Sequence, residues 1–214
     1  MSAWGPLALV IALLVAPCLS LGFRLLGRPG GHPVALGVEL AMFATTALLL
    51  WIVRRKEGKS WASLGLARPA LRQTLLLTLG GLVATVAALA ALVGGLQLLG
   101  IPSLQGDNVE RPLWLLAVMV TRAGFVEEVT YRGVAIDHMA ELTGSKTLGW
   151  LLPLLLFGAL HYPQGVSGIL IAAVAAGVLS ALFLWKRNLW VNIAIHFLID
   201  FVPNVLLPLL GLMK

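Results

Sequence analysis

Hydrophobic runs of membrane-spanning length alternate with short polar connections along the whole chain. They lie at about residues 3–23, 34–53, 74–101, 113–134, 147–162, 168–185 and 189–213, and a helix needs about 20 residues to cross a bilayer. The last run contains Pro203 and Pro208, which can break it into a span and a shorter helix. The pattern predicts an all-α, polytopic transmembrane helix bundle of seven to eight spans, forming a single domain over residues 1–214.

Composition excludes an ordinary soluble domain, because 59% of the residues are hydrophobic and 11% are charged. The net charge of +6 does not indicate nucleic-acid binding, since six of the fifteen basic residues lie in one connection, residues 54–72. Such basic connections orient membrane proteins, so we expect this loop and the N-terminus to be cytoplasmic and the acidic connection with Asp107 and Glu110 to lie outside. The expected location is a prokaryotic inner or plasma membrane.

Apolar residues recur among the polar ones of the basic connection, at Trp61, Leu64, Leu66 and Leu71. They indicate either a short segment lying on the membrane surface or a solvated linker.

The stretch from Glu127 to Gly133 interrupts apolar sequence with two acids and an arginine. Ionisable groups inside a membrane span are costly and by default mark a functional site. On a helix, Glu128 and Arg132 are four residues apart and can pair, whereas Glu127 points about 100° away from Glu128. We therefore expect Glu128 to be neutralised locally and Glu127 to be left free.

Two later apolar runs also carry ionisable residues. His161 ends the fifth run, four residues after Phe157, and the seventh run has a polar stripe with a spacing of four: Asn192, His196 and Asp200. A free acid, two histidines and a further acid or amide can perform general acid–base chemistry or bind a metal. We expect Glu127, His161 and His196 to face one water-accessible cavity.

In order and approximate spacing, three motifs resemble those of the CAAX-protease and bacteriocin-processing family, also called the Abi family, of intramembrane endopeptidases. They are Glu127-Glu128-x-x-x-Arg132-Gly133, Phe157-x-x-x-His161 and His196-x-x-x-Asp200. The resemblance covers about residues 110–205, and Leu64-Gly65-Leu66 is similar to the family's upstream loop. It implies hydrolysis of a peptide bond in a membrane-anchored protein or peptide precursor, such as a prenylated C-terminus, a leader peptide or a C-terminal sorting helix.

The resemblance also implies roles for individual residues. Glu127 would be the general base on water, His161 would help to hold that water, and His196 would stabilise the oxyanion. Glu128 and Arg132 would form a supporting ion pair. Further candidates for contact with the substrate are Asn192, Tyr131 and Phe157.

The chain departs from the commoner family pattern at Asp200, where asparagine is usual. An ionised aspartate cannot donate a hydrogen bond to an oxyanion. Asp200 is therefore protonated, or it orients His196 as an acceptor, or Asn192 supplies the amide in its place; we favour the orientation of His196.

Neither a metal nor another cofactor is expected, because Glu128 is committed to Arg132. Zinc held by Glu127, His161 and His196 is the alternative. The rival function is a non-catalytic membrane scaffold or a proton-coupled transporter that uses the same buried polar residues. Transporters often show two related halves, whereas here the polar residues follow residue 120 and no repeat is visible, which favours the enzyme. The expected partners are the lipid bilayer and a membrane-anchored substrate, with no nucleic acid; no feature indicates a particular oligomeric state.

Overall fold

The computed structural model describes residues 2–26, 31–102 and 111–212, and those residues form seven helices and no strand. The helices are α1 (Gly5–Leu25), α2 (Gly31–Lys56), α3 (Leu71–Leu98), α4 (residues 113–143), α5 (Lys146–Ala159), α6 (Gly165–Lys186) and α7 (Leu189–Leu209). The predicted all-α bundle is confirmed. Asp107 and Glu110, predicted to lie outside the membrane, fall outside the described residues.

Helices α1, α2, α3, α6 and α7 are long and apolar enough to cross a membrane, so the chain is an integral membrane protein. The remaining two predicted runs correspond to α4, which carries charges in its middle, and to α5. Helix α7 continues through Pro203 and Pro208, because its turn Val202–Leu206 widens to π-helical geometry. The part of the chain that the structure describes thus has seven helices, and the eighth, which a break at the prolines would produce, does not form.

Helix α4 lies at the centre of the bundle and changes its winding there. Its middle segment, Ala123–Ala135, is π-helical, between the α-helical segments Leu113–Arg122 and Ile136–Thr143. Ten of the thirteen residues in the middle segment are buried. In π-helical winding the backbone bonds join residues five apart, so side chains at i and i+5 lie on one face. The acids of the first motif therefore sit inside the protein, in a locally widened helix.

Helices α4 and α7 touch backbone to backbone at Gly124. A Cβ atom on Gly124 would lie 3.0 Å from the backbone nitrogen of Phe197, which is closer than most Cβ contacts in proteins. Glycine therefore permits this close approach. The contact brings the motif of α4 next to the polar stripe of α7.

The segment around Gly65 closes one end of the bundle. The solvated-linker interpretation is wrong for Leu64, which is 2% exposed, and the surface segment stays a prediction. The carbonyl of Gly65 accepts a hydrogen bond of 2.8 Å from the backbone nitrogen of Leu189, one of the unpaired donors at the start of α7. Gly65 has a φ of +74°, and a Cβ there would lie 2.7 Å from the ring of Phe183. Trp61 and Leu71 are exposed.

Helix α5 is short, and His161 follows shortly after its last residue. Its 14 residues span about 21 Å, less than the hydrocarbon core of about 30 Å. Gly158, near its end, packs against Ala173 of α6. This contact holds the end of α5, which carries Phe157, against the bundle.

Candidate active site

A fully enclosed ion-pair network surrounds Glu128. One carboxylate oxygen, Oε1, accepts hydrogen bonds from Nη1 of Arg132 and from Nδ1 of His196, both at 2.8 Å. The other, Oε2, accepts from Nδ2 of Asn192 at 3.2 Å. Glu128 is 0% exposed and Arg132 2% exposed, so both charges rely on these partners in place of water. The predicted pairing of Glu128 with Arg132 is confirmed.

This network fixes the orientation of the His196 ring. A carboxylate oxygen only accepts hydrogen bonds, so Nδ1 of His196 carries the proton that it shares with Glu128. The opposite nitrogen, Nε2, then points to the other carboxylates: it lies 3.5 Å from Oδ2 of Asp200 and 3.9 Å from Oε2 of Glu127. Nε2 of His196 is thus the nitrogen available for chemistry.

Glu127 is not left free, and that expectation is wrong. Its Oε1 accepts a hydrogen bond of 2.5 Å from Nη1 of Arg122, and Nε of the same arginine donates to Oε2 of Glu39 at 2.7 Å. The π-helical winding explains the pairing, because residues 122 and 127 are five apart and share a face. Glu127 remains the more accessible of the two glutamates, with 20% of its side chain exposed.

Sequence reasoning did not identify Glu39 and Arg122 as site residues. The signal was present: Glu39 is the one acid in the apolar run Gly31–Trp51, and Arg122 interrupts the run before the first motif. An isolated charge inside a membrane span marks a functional position and requires a partner.

His161 lies one ring away from His196. Its Nδ1 donates to the carbonyl of Phe157 at 2.8 Å, so a neutral His161 has its lone pair on Nε2. The ring centre of Phe157 is 4.8 Å from that of His161 and 6.4 Å from that of His196. Phe157 also contacts Tyr131 edge-on at 5.0 Å. The structure therefore brings Glu127 to within 3.9 Å of His196 and places His161 against Phe157, whose ring is also near that of His196.

Asn192 lies behind His196, inside the enclosed network. It is 0% exposed, and its amide nitrogen donates to Glu128 and, at 2.8 Å, to the carbonyl of Leu179. Both amide hydrogens are therefore engaged. Asn192 therefore supports Glu128. Of the three residues of the polar stripe on α7, Asp200 is the one near Nε2 of His196.

The donors proposed for zinc are not gathered into one cluster. Within residues 2–26, 31–102 and 111–212, no group of three or more histidine, cysteine, aspartate or glutamate side chains has an arrangement that could hold a metal ion. Glu127 and His196 are neighbours, but His161 is separated from His196 by the Phe157 ring. The residues present do not fit a three-ligand metal site in this conformation.

Glu127 and His196 approach one another without a direct hydrogen bond. The 3.9 Å between Oε2 of Glu127 and Nε2 of His196 is too long for a direct hydrogen bond. A water beside the two atoms can hydrogen-bond to both of them. The arrangement can place a water between a carboxylate and an imidazole, which is the constellation for general acid–base chemistry.

An apolar cavity of 510 Å³ lies between α2, α4 and α7. It is bounded by α2 at Phe43, by α4 at Thr121 and Phe125, and by α7 at Trp190 and Phe197. Thr121 directly precedes Arg122, and Phe197 directly follows His196. The residues that line the cavity do not include Glu127, His161 or His196, so it can hold an apolar group between helices that also carry site residues.

Comparisons with known proteins agree with the motif assignment. Residues 109–202 match the sequence model of the family described as type II CAAX prenyl endopeptidase Rce1-like, a range that is under half of the chain but includes all three motifs. The chain is also 32% identical over 87 residues to UPF0177 protein YvdC of Lactococcus lactis subsp. lactis (strain IL1403). That alignment covers 41% of this chain and 33% of the relative, so the chain spans about a third of the relative's length. No solved structure matches the chain.

Proposed function

Since residues 109–202 carry the sequence pattern of the Rce1-like branch of the CAAX-protease and bacteriocin-processing family, we propose that the chain is an integral-membrane endopeptidase. Its reaction is the hydrolysis of a peptide bond in a membrane-anchored protein or peptide, by water that Glu127 activates. The observation that carries the proposal is the pairing of an accessible carboxylate, Glu127, with an imidazole whose orientation a buried ion pair fixes, His196.

The chemistry follows from this pair. The carboxylate of Glu127 accepts a proton from water through Oε2 as the water oxygen attacks the carbonyl carbon of the substrate. Charge then develops on the carbonyl oxygen, and an N–H donor directed at that oxygen lowers the barrier. Nε2 of His196, in its protonated form, is that donor. When the carbon–nitrogen bond breaks, the proton held by Glu127 passes to the leaving amine.

The other motif residues support these two groups. Glu128 holds Nδ1 of His196, and Arg132 and Asn192 hold Glu128. His161 supplies an Nε2 lone pair beside the site and helps to position the water. Asp200 lies 3.5 Å from Nε2 of His196, and an acceptor there favours the protonated imidazole that acts as the donor.

The apolar cavity supports a substrate with a lipid-like or strongly apolar anchor. Its volume of 510 Å³ lies within the range for a small-molecule pocket and is too small for a membrane-spanning helix. A prenylated peptide is therefore the first substrate to test, since the matched family is described by that activity. Leader-bearing precursors and proteins with C-terminal sorting helices are the other two substrate classes to be assayed.

The test is cleavage of these three classes of membrane-anchored peptide by purified protein in liposomes. Wild type is compared with Glu127→Gln and with His196→Gln, each with and without a chelator. Thermal unfolding in detergent shows whether each variant is folded. We expect the folded Glu127→Gln variant to lose cleavage and the wild type to keep it in chelator.

Other outcomes contradict specific parts of the proposal. Loss of cleavage in chelator, restored by zinc, would place Glu127 and His196 in a metal shell. Cleavage that persists in folded Glu127→Gln would remove Glu127 as the base. If wild type cleaves none of the three classes, the non-catalytic scaffold becomes the better interpretation. Proton-coupled solute uptake by liposomes that contain the protein then tests whether it is a transporter.

A further inference from the structure

Glu39 is a buried acid on α2, and it is the one aspartate, glutamate, lysine or arginine from Gly31 to Trp51. Its side chain is 9% exposed. Placing a carboxylate there is costly, and such a residue persists in a membrane span when it has a specific partner and a task. The partner is on another helix, 83 residues further along the chain: Arg122 of α4, at 2.7 Å.

One guanidinium thus holds two carboxylates from two helices. Nε of Arg122 donates to Glu39 on α2, and Nη1 donates to Glu127 on α4. The guanidinium is planar and its donors have fixed directions, so fixing one edge fixes the others. The position of Glu39 therefore determines the direction from which Arg122 approaches Glu127.

Charge balance alone does not require this arrangement. Arg122 and Glu127 already neutralise one another, and Glu39 gives the three side chains a net charge of −1. An additional carboxylate carries a desolvation cost that neutrality does not explain. The enclosed pair offers a contrast, because Arg132 completes its contacts with a backbone carbonyl, that of Ala176 at 3.3 Å. The second carboxylate, Glu39, therefore affects the orientation of the Arg122 guanidinium rather than the charge balance.

We propose that Glu39 is a positioning residue for the candidate base: it locks Arg122 so that Oε1 of Glu127 is held and Oε2 faces Nε2 of His196. This inference rests on the proposed function for its kinetic consequence. The relevant distance is the 3.9 Å between Oε2 of Glu127 and Nε2 of His196. Without Glu39, the long side chain of Arg122 can rotate together with Glu127, and Oε2 of Glu127 is no longer held at this distance from His196.

The kinetic test compares Glu39→Gln and Glu39→Asp with wild type, using the membrane-anchored peptide that wild type cleaves. Glu39→Gln should lower kcat by about 10- to 100-fold, as misplacement of a reacting group does, and leave KM within about twofold. Glu39→Asp keeps the charge and should recover part of the loss. The matched control is Asp137→Asn, which removes the acid of the Arg187–Asp137 pair elsewhere on α4 and should leave kcat unchanged.

A double variant separates position from charge. Glu39→Gln with Arg122→Gln has the same net charge at these positions as wild type but lacks the bridge between α2 and Glu127. The inference expects kcat of the double variant to stay as low as that of Glu39→Gln or to fall further. Recovery of wild-type kcat in the double variant would show that Glu39 balances charge and positions nothing, as would an unchanged kcat in Glu39→Gln.

A measurement without substrate keeps this inference distinct from the proposed function. Four proteins are unfolded thermally in detergent: wild type, Arg122→Gln, Glu127→Gln, and the variant that carries both Arg122→Gln and Glu127→Gln. Together they give the coupling energy between Arg122 and Glu127. The same four proteins are then made with Glu39→Gln. We expect the coupling to fall by about half or more, since Glu39 no longer holds the guanidinium in place. An unchanged coupling would overturn the inference, whether or not wild type cleaves any peptide.

Discussion

Two adjacent glutamates of α4, Glu127 and Glu128, belong to two different ion-pair networks. Glu128 faces inward, where Arg132, His196 and Asn192 enclose it completely. Glu127 faces the partly open side, where Arg122 holds one oxygen and the other faces a gap. The enclosed network resembles a structural core, and the open one resembles a working site. A one-residue step along α4 thus separates a carboxylate that is enclosed in the bundle from one that is partly open.

The largest effect that the comparison predicts is on turnover at the open side. Glu127→Gln should lower kcat by about 10²–10⁴-fold, the usual contribution of a general base. The melting temperature should change little, because Arg122 keeps Glu39 as its partner. Cleavage assays and thermal unfolding of the same preparations check both statements. The control is Glu141→Gln, a glutamate of α4 that pairs with Lys59; a similar loss in that variant would contradict a special role for Glu127.

At the enclosed side we expect the effect to fall on stability. Glu128→Gln leaves Arg132 buried without a carboxylate, which costs about 3–5 kcal/mol in comparable buried pairs. Adding Arg132→Met should recover most of that stability, because no unpaired charge remains. Activity should stay low in the double variant, since His196 has lost its orienting acceptor. Unfolding in denaturant measures the first two changes; recovered activity would contradict the orienting role of Glu128.

The contact between the two helices gives a smaller prediction. Gly124→Ala places a methyl group 3.0 Å from the backbone of Phe197, and overpacking of this kind costs about 1–3 kcal/mol. It should also lower kcat, because the added methyl group pushes α7 outward and thereby moves His196 away from Glu127. Gly94→Ala on α3 is the matched control, since nothing lies within 4 Å of a Cβ there. Equal behaviour of the two variants in unfolding and cleavage would argue against close packing at Gly124.

The smallest effect is expected at Asp200, which is 35% exposed and 3.5 Å from His196. An ion pair with that exposure contributes about 0.2–1 kcal/mol. Asp200→Asn, which introduces the residue common in the family, should therefore change kcat/KM by about fivefold or less. A loss of several hundredfold in the cleavage assay would instead place the carboxylate of Asp200 in direct contact with the reacting atoms.

Most of the helices, and the contacts around Glu128, could be predicted from the sequence. Apolar runs predict helices and their number well, because each span must satisfy its backbone within the membrane. The pairing of Glu128 with Arg132 followed from a spacing of four, which remains a contact distance in α4. The stripe on α7 likewise brought His196 and Asn192 to one face.

The missed features depend on helix winding or on contacts between distant segments. The spacing of five between Arg122 and Glu127 becomes a contact only where α4 is π-helical, and an analysis based on 3.6 residues per turn separates the two. The pair of Arg122 with Glu39 joins two helices, which no local pattern encodes. Burial of Leu64 depends on the path of the chain between α2 and α3. Local periodicity thus predicts faces, and tertiary contact decides which charges meet.

The shortness of α5 has a consequence for the surrounding lipid. A helix of about 21 Å in a hydrocarbon core of about 30 Å creates hydrophobic mismatch, which the bilayer relieves by thinning next to the helix. We expect the thinned region to lie beside His161, which follows the end of α5. In the proposed function, such thinning brings bulk water and lipid headgroups closer to the bundle interior at this point, and the bilayer becomes part of the route by which water reaches the site.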